Sequence, residues 1–63
     1  MTETEIEEFF QSHPQTGLGY HRTDVTFDDG NTLDLIVYKN GQDLALITGR
    51  PLFRIQSLNI HKR

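Results

Sequence analysis

Apolar residues in the first dozen positions recur at helical spacing. Ile6, Phe9 and Phe10 stand three and four positions apart, so that one face of a helix carries all three. The segment Thr2 to Glu5 has the threonine-x-x-glutamate spacing of a capping box, in which two side chains satisfy two backbone amides reciprocally. We therefore expect a short N-terminal helix within residues 1–13.

The hydrophobic period changes to two after Pro14, a residue type that disfavours helical geometry in its predecessor. Val25 and Phe27 alternate with polar neighbours, as in a half-buried strand. The dipeptides Asp29-Gly30 and Asn40-Gly41 are typical of tight hairpin turns, whose central residues take positive φ. The remaining strands are predicted over Thr32 to Tyr38, Asp43 to Thr48, Leu52 to Ile55 and Leu58 to Ile60.

The predicted fold is one domain, residues 1–63, of the α+β class and mainly β. The short helix is followed by an antiparallel meander over residues 20–63, forming a bent four- to five-stranded antiparallel sheet or a small SH3-like barrel. Both faces of the central strands are apolar, and the second face carries Ile36, Tyr38, Ala45 and Ile47. A barrel interior covers only one face, so the other needs the helix or a second copy, and a homo-oligomer is expected.

Length and composition limit the chemistry that the chain can support. A domain of 63 residues buries only about 60% of the surface that its unfolded chain exposes. It has no cysteine, so neither disulfides nor thiolate metal sites are available. The start, Met1 to Glu5, lacks the basic residues of a secretory signal, and no apolar run approaches the roughly 20 residues that span a bilayer. We expect a cytoplasmic protein without a membrane segment.

Charge is divided unevenly along the chain. Residues 1–43 hold all nine acids against two bases, whereas residues 44–63 hold four bases and no acid. A basic binding surface is therefore predicted from Arg50, Phe53, Arg54, His61, Lys62 and Arg63. There an aromatic ring beside a guanidinium could stack a base and neutralise a phosphate. In the opposing arrangement Phe53 lies in the core and Arg54 pairs with an acid.

Catalytic and metal-binding patterns are not evident. Asp24, Asp28, Asp29 and Asp34 lack the ligand order of a calcium loop and fit turns and solvated strands, with Asp34 expected at an edge or rim. The three histidines form no pair at metal-ligand spacing. The sequence contains no group of nucleophile and base residues and no glycine-rich phosphate loop. We therefore predict neither enzymatic activity nor a bound metal or cofactor.

One stretch of the chain has the order Gly30-Asn31-Thr32-Leu33, then Val37, then Asp43-Leu44-Ala45-Leu46-Ile47. Through this stretch, residues 20–63 resemble the Sm-like family of small barrels. It implies an oligomeric, RNA-binding barrel. Leu35 stands where the family commonly has a glycine, and Phe53-Arg54-Ile55 has no counterpart of the histidine in the uridine pocket.

Two functions remain open for a non-enzymatic binding module. One is an Sm-like oligomer that binds single-stranded RNA through the basic surface. The other is an acidic interaction or inhibitor module, for instance an accessory subunit or a phage-type factor, that docks on a basic protein. Its docking residues are predicted to be Glu3, Glu7, Glu8, Asp28 and Asp29.

Overall fold

The computed structural model describes residues 1–61, which form two short helices and an antiparallel sheet. The elements are α1 (Glu3–Ser12), β1 (Tyr20–Phe27), β2 (Thr32–Tyr38), α2 (Leu44–Thr48) and β3 (Ile55–Ile60), with 3₁₀ turns at Lys39–Gly41 and Leu52–Arg54. Over these residues the sheet is open, with three strands in the order β2-β1-β3. The α+β class with a short N-terminal helix is confirmed. The predicted four to five strands and the barrel are not confirmed.

Helix α1 forms as its sequence pattern predicts. The Thr2 hydroxyl accepts a hydrogen bond from the Glu5 amide (3.2 Å), and the Glu5 carboxylate accepts one from the Thr2 amide (2.8 Å). Both arms of the capping box are therefore present. Ile6 and Phe10 are buried on the helix face that meets the sheet, and Phe9 is partly buried beside them.

Strands β1 and β2 form the predicted hairpin. Val25 pairs with Leu33, and Gly30 takes a φ of +87° in the turn between the strands. The odd-numbered residues of β1 face α1, and all of them are buried: His21, Thr23, Val25 and Phe27.

The second predicted hairpin, with a strand over Asp43 to Thr48, is wrong. Lys39, Asn40 and Gly41 all take positive φ, and the chain then enters α2. Strand β3 pairs with the far side of β1 and runs parallel to β2, a relation that requires a crossover instead of a tight turn. Alanine and leucine favour helix in that crossover, where Leu44 is buried.

Among the described residues 1–61, only one face of the sheet is covered. The core lies between the sheet, α1 and the crossover, and consists of Ile6, Phe10, Val25, Phe27, Val37, Leu44, Ile55 and Leu58. The opposite face, which we call the open face, carries the even-numbered residues of β1 and β2, and Ile36 (41%) and Tyr38 (50%) remain exposed there. Within residues 1–61, neither helix is long and apolar enough to cross a membrane.

Candidate functional site

The predicted basic residues Arg50 and Arg54 lie against the predicted acidic residues Asp28 and Asp29. Arg50 Nη1 is 3.2 Å from Asp29 Oδ2. Arg54 donates to Asp28 Oδ1 from Nε (3.2 Å) and from Nη2 (3.1 Å). We call these four residues the turn cluster, because they join the β1–β2 turn to the segment before β3. Two arginines of the predicted basic surface and two aspartates of the predicted acidic surface thus neutralise one another.

Hydrogen bonds and charge shift the pKa of two members of the turn cluster, Asp29 and Arg54. The Asn31 backbone amide and the nearby guanidinium of Arg50 lower the pKa of Asp29. Hydrogen bonding to Asp28 raises the pKa of Arg54. Arg50 also lies over the Phe27 ring, with its guanidinium carbon 4.4 Å from the ring centroid. The pairs are solvated, so each is a weak contact, and together they join the β1–β2 turn to the segment before β3.

Phe53 projects away from the core in the 3₁₀ turn Leu52–Arg54. Its exposed fraction is 76%, whereas Leu52 on the same turn packs against the core. The sequence alternatives are therefore each right in part, because Phe53 is exposed and Arg54 pairs with an acid. An exposed phenylalanine on a short turn is an available contact for a partner.

A second polar network crosses the open face. Arg22 donates two hydrogen bonds to Asp34 (Nε to Oδ1, 3.2 Å; Nη2 to Oδ2, 2.7 Å), and His61 Nδ1 is 3.1 Å from Asp24 Oδ1. The hydrogen bonds from Arg22 lower the pKa of Asp34, which lies on the edge strand as predicted. Lys62 and Arg63, the remaining predicted basic residues, lie outside the described residues.

Sequence spacing did not indicate this network. Asp24 and Asp34 meet because the β1–β2 register places them opposite each other, and His61 follows β3 on the other side of β1. The ligand atoms of these three residues lie within 4.8 Å of one another, the spacing of a three-ligand metal site. Arg22 already engages both oxygens of Asp34. Asp34, one of the three candidate ligands, is therefore already neutralised by Arg22.

The glutamates of α1 differ from the aspartates in their surroundings. Glu3, Glu7 and Glu8 are exposed, and none of them forms an ion pair within residues 1–61. Glu7 accepts only a long hydrogen bond from Gln11 (3.4 Å). Glu3 and Glu7 lie one helical turn apart, an arrangement of like charges that is unfavourable without a cation.

A small cleft of about 30 Å³ lies beside these glutamates. Its walls come from α1 and from the two 3₁₀ turns: Glu3, Ile6, Glu7, Asn40, Gly41, Gln42 and Leu52. The cleft thus combines two carboxylates with apolar side chains, a combination suited to the alkyl stem and charged end of lysine or arginine. We call this region the acidic cleft.

Comparison of the chain with family models, curated proteins and solved structures gave no match. The resemblance to the Sm-like family therefore stays a prediction, and the functional argument rests on the geometry above.

Proposed function

We propose that the chain is a non-enzymatic interaction module that binds a basic protein surface through the acidic cleft and the exposed face of α1. The supporting observation is the way in which folding distributes charge. Each arginine within residues 1–61 lies within 3.2 Å of an aspartate oxygen, whereas the α1 glutamates have no cationic partner there. Available charge is thus mainly negative, in agreement with the net charge of −3.

The acidic cleft gives this surface chemical selectivity. A lysine or arginine side chain of the partner would place its alkyl stem against the partly buried Leu52 and its charged end between Glu3 and Glu7. Phe53 follows Leu52 directly and is exposed, so it supplies an aromatic contact next to the cleft. Asp28 and Asp29, although predicted as docking residues, take part in the turn cluster and are left out of this surface.

Single-stranded RNA binding is the second candidate, and the exposure of Phe53 favours it. A base stacked on this ring would bring a phosphate towards Arg54. That function requires Arg54 to exchange Asp28 for the phosphate. It also uses the terminal segment His61, Lys62 and Arg63.

A paired binding measurement distinguishes the candidates. A fluorescein-labelled peptide of alternating lysine and leucine, and a labelled uridine-rich RNA, are titrated with the protein and followed by anisotropy. Glu7→Gln should weaken peptide binding by roughly fivefold, because it removes about 1 kcal/mol of charge contact. Glu8→Gln removes the same charge from the same helix outside the cleft lining and should change binding by less than about twofold.

Equal losses from Glu7→Gln and Glu8→Gln would show that only overall charge attracts the peptide, and would contradict the cleft. Amide shifts in the ¹H–¹⁵N spectrum should cluster at Ile6, Gln42 and Leu52 when the peptide binds. RNA binding that Arg54→Glu abolishes and Glu7→Lys leaves intact would transfer the assignment to the second candidate. In that case removal of residues 61–63 should also flatten the salt dependence.

A further inference from the structure

Strand β2 forms one edge of the sheet, and the hydrogen bonds show which of its backbone groups point outwards. The His61 amide donates to the Arg22 carbonyl (2.8 Å), so the Arg22 backbone faces β3. The Phe27 amide donates to the Asn31 carbonyl (2.8 Å), so odd-numbered residues of β1 face β2. Because Arg22 is paired with Ile36, the even-numbered residues of β2 direct their N–H and C=O groups away from the sheet.

This edge has few of the features that normally prevent strand association, and its one charged side chain, Asp34, is paired with Arg22. Residues 32–38 contain no proline or lysine, and the β1–β2 register runs without a bulge. No hydrogen bond among residues 1–61 reaches the outward groups of Asp34 or Ile36. The opposite edge, β3, pairs with β1 through a register shift at Thr26/Phe27. The regular and apolar β2 edge is therefore the better template for another strand.

We propose that two copies of the chain pair their β2 strands antiparallel, with Leu35 on the two-fold axis, to form one six-stranded sheet. The two-fold relation restricts the register, because outward-facing residues must pair with outward-facing residues. An axis at Asp34 would place the two copies of that carboxylate opposite each other, which is unfavourable. An axis at Leu35 pairs Asp34 with Ile36 of the second copy and engages the full length of β2.

The proposed register also covers apolar surface on the helix-bearing face. Leu33 is 37% exposed, Leu35 is half-buried, and Val37 is buried. Across the axis Leu33 meets Val37 of the second copy, and Leu35 meets its own counterpart. Four pairs of outward residues would form about eight backbone hydrogen bonds. This assembly goes beyond the proposed docking function, because it uses the β2 edge and leaves the acidic cleft of each copy accessible.

Cysteine substitution tests the axis directly, because the chain has no cysteine of its own. Residues facing each other in a non-hydrogen-bonded pair have Cα atoms about 4.5 Å apart, within the range that a disulfide bridges. Leu35→Cys should therefore form a covalent dimer under mild oxidation. The matched variant Leu33→Cys lies on the same strand face, but its two copies would be four residues out of register. It should crosslink at least about tenfold more slowly.

Equal crosslinking of the two variants would indicate random collision and would overturn the proposal. A wild-type measurement keeps the test independent of any change in folding. Hydrogen exchange at the outward amides of Asp34 and Ile36 should slow as protein concentration rises, whereas the amides of Leu33 and Leu35 should be protected throughout. Concentration-independent exchange of Asp34 and Ile36, together with a monomer in sedimentation equilibrium, would overturn the proposal. Failure of the peptide to bind at the acidic cleft would contradict the proposed function but not the β2–β2 dimer.

Discussion

Gly41 lies against Ile6 and Phe10 of α1, and its replacement gives a sharp test of the packing. A Cβ atom added to Gly41 would lie 2.6 Å from Ile6 Cγ2 and 2.8 Å from Phe10 Cε2. Both contacts are with buried side chains of α1, which cannot move aside without disturbing the core. Gly41 also has a φ of +85°, a conformation that residues with a side chain rarely adopt.

Gly30 provides a matched control for the backbone effect. Its φ is +87°, but nothing lies within 4 Å of the position that a Cβ would take. Gly30→Ala should cost about 1–2 kcal/mol, the penalty of the left-handed region for alanine. Gly41→Ala adds the overlap with Ile6 and Phe10, which corresponds to overpacking at about 1–3 kcal/mol. A domain of this length has a total stability of only about 3–9 kcal/mol, so the combined cost of about 2–5 kcal/mol for Gly41→Ala should remove a large share of it.

Urea unfolding followed by far-ultraviolet circular dichroism measures the difference between the two variants. We expect the midpoint for Gly41→Ala to lie well below that for Gly30→Ala, with similar slopes because the unfolded chains expose similar surface. Equal midpoints would refute the reasoning, since they would mean that α1 does not pack against Gly41. A lower midpoint for Gly30→Ala would refute the assigned turn geometry as well.

Two further predictions concern α1 itself. Phe10→Ala should lower the free energy of unfolding by about 3–5 kcal/mol, because the ring is fully buried. Phe9→Ala should cost clearly less, because Phe9 is only partly buried. Equal losses of stability in urea unfolding would contradict this prediction. Hydrogen bonding from the Thr2 amide lowers the pKa of Glu5 in the folded state. The contribution of the Glu5 carboxylate to stability is therefore present above the ordinary carboxyl pKa, and it is lost as pH falls through the pKa of the folded state. The stability difference between wild type and Glu5→Gln should therefore shrink below about pH 4, and a difference that stays constant down to pH 2 would contradict the capping role.

The accuracy of the sequence-based fold prediction depends on whether local signals determine each element. Helix α1 could be predicted because its cap and its apolar stripe lie within a few residues of one another. The β1–β2 hairpin could be predicted because alternation and the Asp29-Gly30 turn agree. Residues 44–48 form helix because β3 pairs with the distant side of β1, which is a non-local requirement. A five-residue apolar segment carries no period that separates helix from strand.

The candidate site could be predicted only in part. Its residue types can be read from the sequence, but its ion pairs join residues that are far apart along the chain. Phe53 is exposed, as one of the two sequence alternatives expected, and Glu3, Glu7 and Glu8 are exposed, as docking residues must be. The partner of Arg54 lies 26 residues away, and that of Arg50 lies 21 residues away. The cleft residues Asn40 to Gln42 were missed, since only the turn that follows β2 brings them to α1.

The uneven distribution of charge along the chain therefore has a structural origin. Arg50 and Arg54 bind the aspartates of the β1–β2 turn, and this pairing holds the crossover against the sheet before β3 begins. A basic segment that meets an acidic turn within one molecule contributes little to the external field beyond a few ångströms, because opposite charges at short range cancel. Within residues 1–61 the glutamates of α1 do not take part in that pairing, so they leave negative charge exposed on the helix. This distribution supports the proposed basic partner, the opposite of what the C-terminal cations alone indicate.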